Sequence, residues 1–493
     1  MRIAGLPDLL ARRAALQPEA VALEDVASGR SLSYAELDAR AAAAASLLAE
    51  LGVGDGDRVA LLCRNRPEFF ELLFGCARLG AVLVPLNWRM PPAELSLLVA
   101  DADPRLILFG AEDSAAARAL GCAALGLDED YAERAAAAPS RTFRATWPAD
   151  STWYLLYTSG TTGRAKGVIY TFGMALANYV NIGSAIGLRA TDSTANFLPL
   201  FHTAGINLHS LPTLFAGGRV LVLPGFEPDL LIDLFDRRRL DSFFAVPTVY
   251  QALLDDPRMA RVPLDHVRHW GCGGAPLPDR LVERYRALGV RVCNGMGMTE
   301  TGPTAFLLDP ADAWDRIGSV GKPQLLCSAR IVDQRGHDVR DGQVGEILFA
   351  GPGVTPGYWR NEEATRAAFT DDGWLRSGDL GYRDSGGFHY VAGRRKEMFI
   401  SGGENVYPSE VENVLCAHPA VADAAVVGAP DARWGEVGKA YLQLVPEAAS
   451  AEESEFDAFC RARLAAYKVP KSFRFIAEFP RTSAGKIQKH LLA

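Results

Sequence analysis

The stretch from Arg58 to Pro85 constrains the architecture more than any other. Arg58 to Cys63 (RVALLC) reads as a strand, Pro67 to Leu79 as a helix opened by its proline, and Ala81 to Pro85 as a second strand. That is a βαβ unit, and a helical crossover makes its two strands parallel neighbours whose faces need helices over them. Tyr34 to Leu51 places Leu37, Ala41, Ala44, Leu48 and Leu51 at helical spacing before Gly52 and Gly54 end the helix. The alternation continues with Leu106 to Phe109, Arg219 to Leu223, Leu230 to Arg238, Ser242 to Val246 and a helix at Leu281 to Leu288. From about Gly318 the texture changes. Strands at Ala329 to Val332, Gly345 to Ala350 and Phe388 to Val391, with turns at Asp341-Gly342 and Asp384 to Gly387, predict an antiparallel module. The tail from Pro408, with helices at Pro408 to His418 and Glu453 to Leu464 around strands at Val421 to Gly428 and Lys439 to Val445, reads as a small α+β unit.

A chain of 493 residues exceeds what one core organises, so two domains are expected. The predicted class is α/β: a large N-terminal domain of layered α/β sheets with an antiparallel β-barrel-like module, and a small mobile α+β C-terminal domain. The alanine-rich patches at 41–45 and 135–138 read as helix surface.

Between a predicted strand, Ser151 to Tyr157, and a predicted helix, Ile169 to Tyr179, lies YTSGTTGRAKGV. Its glycines permit close backbone approach, its hydroxyls donate, and Arg164 and Lys166 supply charge, a combination suited to polyphosphate oxygens. The GxxxxGK[ST] spacing of P-loop NTPases is not met, because Lys166 is followed by Gly167. Formal net charge is −8, so an anionic substrate must be met by local positive charge. The eight cysteines form no CxxC pair, which predicts reduced thiols. His266 and His269 have no further ligand cluster nearby and read as structural. Pro7, Asp8 and two arginines occupy the place of a signal-peptide core, and no run of about 18 apolar residues occurs, so a cytoplasmic location is expected.

Six further segments accompany the loop in order: NFLPLFHTAG (Asn196 to Gly205), GCGGAPLP (Gly271 to Pro278), NGMGMTETGP (Asn294 to Pro303), GWLRSGDLG (Gly373 to Gly381), GRRKEMFISGGENVYPSEVE (Gly393 to Glu412) and PRTSAGKIQK (Pro480 to Lys489). Together they resemble the adenylate-forming superfamily of acyl-CoA synthetases, peptide-synthetase adenylation domains and firefly luciferase. Among its branches the chain is most similar to bacterial fatty-acyl and feruloyl-type aryl acid–CoA ligases. The resemblance implies an ATP- and Mg²⁺-dependent enzyme that adenylates a carboxylic acid and passes the acyl group to CoA.

It also implies roles. Thr158, Ser159, Gly160, Thr161, Thr162, Gly163 and Lys166 would hold the β and γ phosphates. Gly273, Gly274, Ala275, Pro276, Asn294, Gly295, Met296, Gly297 and Met298 would border the nucleotide, with Met296 where relatives usually stack an aromatic ring on adenine. Asp379 and Arg394 would meet the ribose. Glu300 would hold Mg²⁺, Thr299 the α-phosphate, and Lys486 would bridge α-phosphate and carboxylate; with His202 these form the implied catalytic set. The acid pocket is assigned to His202, Thr203, Ala204, Gly205, Asn207, Val246, Pro247, Thr248, Met298, Pro303 and Thr304. Lys396 would be the hinge of the small domain, with Gly402, Gly403, Trp434, Tyr467 and Lys471 toward CoA. The implied boundaries are 1–393 for the adenylation domain, 394–396 for the hinge and 397–493 for the C-terminal domain. Ala165 replaces the family's usual proline, which frees one backbone angle beside the phosphate loop.

A histidine at 202, where amino-acid-activating relatives carry aspartate, suits a plain carboxylate. Fatty and aromatic acids remain open, as do loading of a carrier protein instead of CoA and a non-catalytic nucleotide-binding homologue. No nucleic-acid partner is expected, and peripheral membrane contact and a homodimer are left open.

Overall fold

The computed structural model of the chain describes residues 5–158, 165–448, 451–481 and 487–492. The βαβ expectation holds: Arg58–Leu62 lies parallel to Val82–Pro85, with the helix Pro67–Leu79 as the crossover. These strands sit in a six-stranded sheet with Leu106–Phe109 and Ala124–Gly126 on one side and Thr152–Thr158 and Lys166–Thr171 on the other. The helix Tyr34–Glu50 packs over that layer, its start closed by a capping box between Ser33 and Glu36. Ala41, Ala44 and Ala45 are wholly buried. A Cβ on Gly75 would stand 3.1 Å from Ala44 Cβ, so the alanines let two helix backbones approach rather than forming exposed surface.

A larger, thirteen-stranded sheet has Ser31–Ser33 as an antiparallel edge strand, followed by parallel strands at Val21–Asp25, Arg219–Val222, Ser193–Asn196, Ser242–Ala245, His269–Cys272 and Val292–Met296. It continues without a break into antiparallel Phe306–Leu307, Ser319–Pro323, His389–Arg394, Leu375–Arg383, Gly345–Ala350 and Ser328–Val332. The predicted antiparallel module is therefore one wing of the main sheet. Phe399–Ser401 opens a separate five-stranded sheet whose long hairpin, Val421–Asp431 with Gly435–Leu444, is covered by the helices Pro408–Cys416 and Glu453–Arg461. Its core centres on buried Val411, Leu415, Val426, Leu442 and Phe456. This unit touches the larger one through Arg280, which donates to the carbonyls of Val421 (2.6 Å) and Ala422 (2.7 Å).

One element departs from expectation beside the phosphate loop. The helix expected from Ile169 starts three residues later, at Phe172. Lys166–Thr171 is a strand antiparallel to Thr152–Thr158, with Lys166 opposite Thr158, and the helix is Phe172–Ile186. Buried Val168 and Tyr170 flank half-buried Ile169 as in a strand, and the strand ends at Thr171, whose hydroxyl accepts from Met174 N at 3.2 Å and caps the helix.

No described helix is long and apolar enough to cross a membrane.

Candidate active site

Parallel α/β sheets bind ligands at the carboxyl ends of their strands, where the loops diverge. Here those ends border a cavity of about 1590 Å³. Tyr157 and Thr158 end one strand, Phe197 to Pro199 follow another, and Val246, Gly273 with Gly274, and Gly295 to Glu300 follow three more. Glycine is required where these loops crowd. A Cβ on Gly297 would fall 1.3 Å from Pro303 O, and one on Gly273 would fall 2.8 Å from Gly295 O.

The wall is cationic. Arg89, Lys166, Arg376, Arg394, Arg395, Lys396 and Arg481 line the cavity against Glu94, Glu300 and Glu346. In a chain of formal net charge −8, this local surplus suits a polyanion. Lys166 Nζ stands 5.0 Å from the centroid of the Tyr358 ring. Glu300, in the short turn Thr299–Thr301, is 7% exposed, and its Oε1 accepts from the Tyr358 hydroxyl at 2.9 Å. Burial and the Glu300 charge push the Tyr358 phenol well above its ordinary range, so it remains a donor. No cluster of three or more His, Cys, Asp or Glu exists among the described residues. A single buried carboxylate facing a phosphate-sized cavity fits Mg²⁺, which takes one or two carboxylates and completes its shell with water and substrate phosphate oxygens.

Asp379 and Arg394 are cross-strand partners, with Arg394 Nε 2.7 Å from Asp379 Oδ1. Arg394 reaches the cavity, while Asp379, 5% exposed, stands behind it. Met296 and Met298 line the cavity and pack on the cluster that holds Phe306 and Phe349.

Among the expected acid-pocket residues, His202, Thr203, Ala204, Val246, Thr248, Pro303 and Thr304 line the cavity. Gly205, Asn207 and Pro247 do not; they lie one layer behind. Asn207 accepts from the Tyr154 hydroxyl at 2.8 Å and donates to Thr203 Oγ1 at 3.2 Å, so it braces the wall. A Cβ at Gly205 would meet Pro199 O at 2.3 Å, which places that glycine in a tight backbone crossing. Asn294 is likewise a strut, donating to Ser319 O at 3.1 Å, and Ala275 and Pro276 fall outside the lining.

The five positions expected toward CoA are not on the cavity wall. Gly402 and Gly403, with φ of 62° and 88°, form the turn of the hairpin Phe399–Ser401 with Glu404–Val406. Trp434 lies against Gly402, where a Cβ would stand 2.7 Å from the indole. Tyr467 and Lys471 stand elsewhere on the small unit. Ser159, Gly160, Thr161, Thr162, Gly163 and Lys486 lie outside the described residues. Their neighbours Thr158, Lys166, Arg481 and Gln488 line the cavity.

Two features escaped sequence reading. Tyr358 follows Gly357, whose φ of 146° is a signal legible only with backbone geometry. The other is a cation–aromatic stack: Arg64 lies 3.3 Å and Arg89 4.7 Å from the Trp88 ring, which meets Phe201 edge-on at 6.1 Å. Phe201 stands more than 100 positions along the chain from the other three.

The chain matches the family model described as AMP-binding enzyme over residues 10–359 and that described as AMP-binding enzyme C-terminal domain over residues 410–486. It is 41% identical to a feruloyl-CoA synthase of Amycolatopsis sp, covering 99% of this chain and 98% of that protein. It is 38% identical to the indoleacetate–CoA ligase of Aromatoleum aromaticum, covering 98% of this chain and 96% of that one. The solved o-succinylbenzoate CoA synthetase of Bacillus subtilis, in complex with its acyl-adenylate intermediate, superposes with a TM-score of 0.92 at 34% identity over 99% of this chain and 98% of that chain. The same enzyme has been solved with ATP and a magnesium ion. Matched over most of its length by the family model and end to end by these relatives, the chain belongs to the AMP-binding enzyme family.

Proposed function

We propose that the protein is an AMP-forming acid–CoA ligase for an aromatic or fatty carboxylate. The observation that carries this reading is one cavity whose wall holds Lys166, Arg394 and the buried Glu300 together with apolar Phe197, Phe226, Phe244 and Leu307. A carboxylate oxygen attacks the α-phosphorus of ATP, the bond to the β-phosphate oxygen breaks, and pyrophosphate leaves. The CoA sulfur then adds to the acyl carbonyl and AMP departs. The first step brings two anions together, so positioning and charge neutralisation supply most of the catalysis.

In this reading Lys166 and the loop before it hold the departing β and γ phosphates, Arg394 steadied by Asp379 meets the ribose, and Thr299 meets the α-phosphate. Glu300 would hold Mg²⁺, which neutralises phosphate charge. His202, on the cavity wall, would face the acid, and Lys486 would bridge the reacting groups. Residues 397–493 act as a small domain turning at Lys396, which is exposed and lies between two sheets. The two hydrogen bonds from Arg280 to the small unit would break in that turn.

The test is AMP release with and without CoA across fatty acids, benzoates, cinnamates and indole acids. CoA-dependent release supports the reading. Pyrophosphate exchange with an acid whose AMP release does not respond to CoA would instead indicate delivery to a carrier-protein thiol, and no exchange with any acid would overturn it. Lys396→Pro, which fixes φ at the turn, is expected to keep pyrophosphate exchange within about threefold and lower thioester formation at least about tenfold. Equal loss of both steps would argue against a hinge there.

A further inference from the structure

Behind Phe244, a residue of the cavity wall, lie polar side chains that the proposed chemistry does not use. Neighbouring strands pair Ser242 with His269 and Phe244 with Gly271. Alternation along each strand puts these four residues on one face of the sheet. Phe244 lines the cavity, so His269 shares the cavity's face one step further in. The absent side chain of Gly271 lets the two rings fold over the strand, since a Cβ there would stand 3.1 Å from His269 Cε1 and 2.7 Å from Phe244 Cδ2, so the Phe244 ring lies against the imidazole. His209 follows Leu208, another wall residue, and its ring centroid lies 6.0 Å from that of Phe244 and 6.1 Å from that of His269.

Both imidazoles are buried, at 5% and 2% exposure, and both are under-bonded. His209 Nδ1 is 3.3 Å from Thr194 Oγ1 and 3.4 Å from Ser242 Oγ. His209 Nε2 and both nitrogens of His269 have no hydrogen-bond partner among the described residues. Buried polar atoms are nearly always paired, so three unpaired ring nitrogens directly behind wall residues of a substrate-sized cavity leave bonds for a ligand group to make. Burial, with the neighbouring His269, holds His209 down to about 3, and burial, with Arg268 beside it, holds His269 down to about 4. Each ring is therefore neutral at pH 7 and offers one N–H and one lone pair. That pairing suits a hydroxyl, which donates and accepts. It suits an ionised tip poorly, because the neighbouring Arg268 is already paired with Asp192 and leaves the desolvation of a charge unoffset.

We propose that His269, with His209 beside it, reads a hydroxyl on the end of the substrate remote from its carboxylate, so that the preferred acids are aromatic and carry a phenol at the far end of the ring. This rests on the acid–CoA ligase reading. The aromatic wall of Phe201, Phe226, Phe244 and Phe306 accommodates a flat ring between the reacting carboxylate and the histidines.

The experiment compares kcat/KM for 4-hydroxycinnamate and its near-isostere 4-methylcinnamate by CoA-dependent AMP release, in wild type, His269→Leu, His269→Gln and His209→Leu. A site built to bond a hydroxyl rejects an analogue that lacks it, so the wild-type ratio is expected to be at least about tenfold. The ratio should fall toward one in His269→Leu and be partly restored in His269→Gln, with the KM for ATP moving less than the KM for the phenolic acid. A wild-type ratio near one, with either acid turned over, overturns the proposal and leaves the ligase reading standing. A ratio unchanged in both His269→Leu and His209→Leu also overturns it. Should His269→Leu not fold, the wild-type ratio and His209→Leu decide. Turnover of fatty acids and of neither cinnamate likewise counts against it, whereas turnover of no acid at all overturns the ligase reading itself.

Discussion

Glu300→Gln is expected to lower ATP–pyrophosphate exchange by about 10²–10³, the loss typical of removing one preorganised electrostatic group from a water-poor site. The substitution keeps the shape of the side chain and an oxygen that can accept from the Tyr358 hydroxyl, so the bond now at 2.9 Å can persist. What disappears is the charge. Glu300 is the carboxylate of the Thr299–Thr301 turn, 7% exposed and facing the cavity that Lys166 and Arg394 also line. Without that charge the site offers Mg²⁺ no carboxylate from this turn, so the Mg²⁺ concentration for half-maximal exchange should rise together with the loss of rate. Exchange within about fivefold of wild type at saturating Mg²⁺ would remove Glu300 from the proposed metal role. An unchanged unfolding midpoint would show that the loss does not come from misfolding.

The parts of this site legible in the sequence are those whose chemistry is local. Thr299 and Glu300 are adjacent, and the glycines at 273, 274, 295 and 297 report their own constraint, since a Cβ at 297 would overlap Pro303 O. The βαβ unit was legible because Pro67 opens a helix that is buried on most sides and leaves no other way to connect its strands. The strand at Lys166–Thr171 was not, because a short apolar run such as VIY fits a strand or a buried helix equally well and the deciding cap at Thr171 comes only at its end. Asn207 was placed in the pocket because its segment faces it; only the packed structure shows the side chain turned to Tyr154 and Thr203. The pair His209 and His269 was illegible as a pair, since His209 immediately precedes the helix Ser210–Ala216, His269 opens a strand, and only the packing of that helix on the sheet brings the rings together.

That pair also makes stability sensitive to acid. Both histidines have folded-state values near 3 and 4, against an ordinary value near 6.5. A depressed value means the unfolded chain binds protons that the folded chain refuses. The associated stability is complete above pH 6.5 and is lost as pH falls from 6.5 toward 4 and then 3. Well below 6.5 each histidine contributes a slope of about 1.4 kcal/mol per pH unit. Buried Glu71 and Glu412 carry raised values and act in the opposite sense over part of this range, so the raw pH profile mixes several groups. The informative quantity is therefore the difference between wild type and His269→Leu in denaturant unfolding at pH 7, 6 and 5. The variant is expected to close on wild type or overtake it as pH falls, by about 1 kcal/mol between pH 6 and pH 5. Parallel pH profiles would mean that the His269 imidazole titrates in the folded protein as freely as in the unfolded chain. The sealed neutral pocket that the hydroxyl reading requires would then be absent.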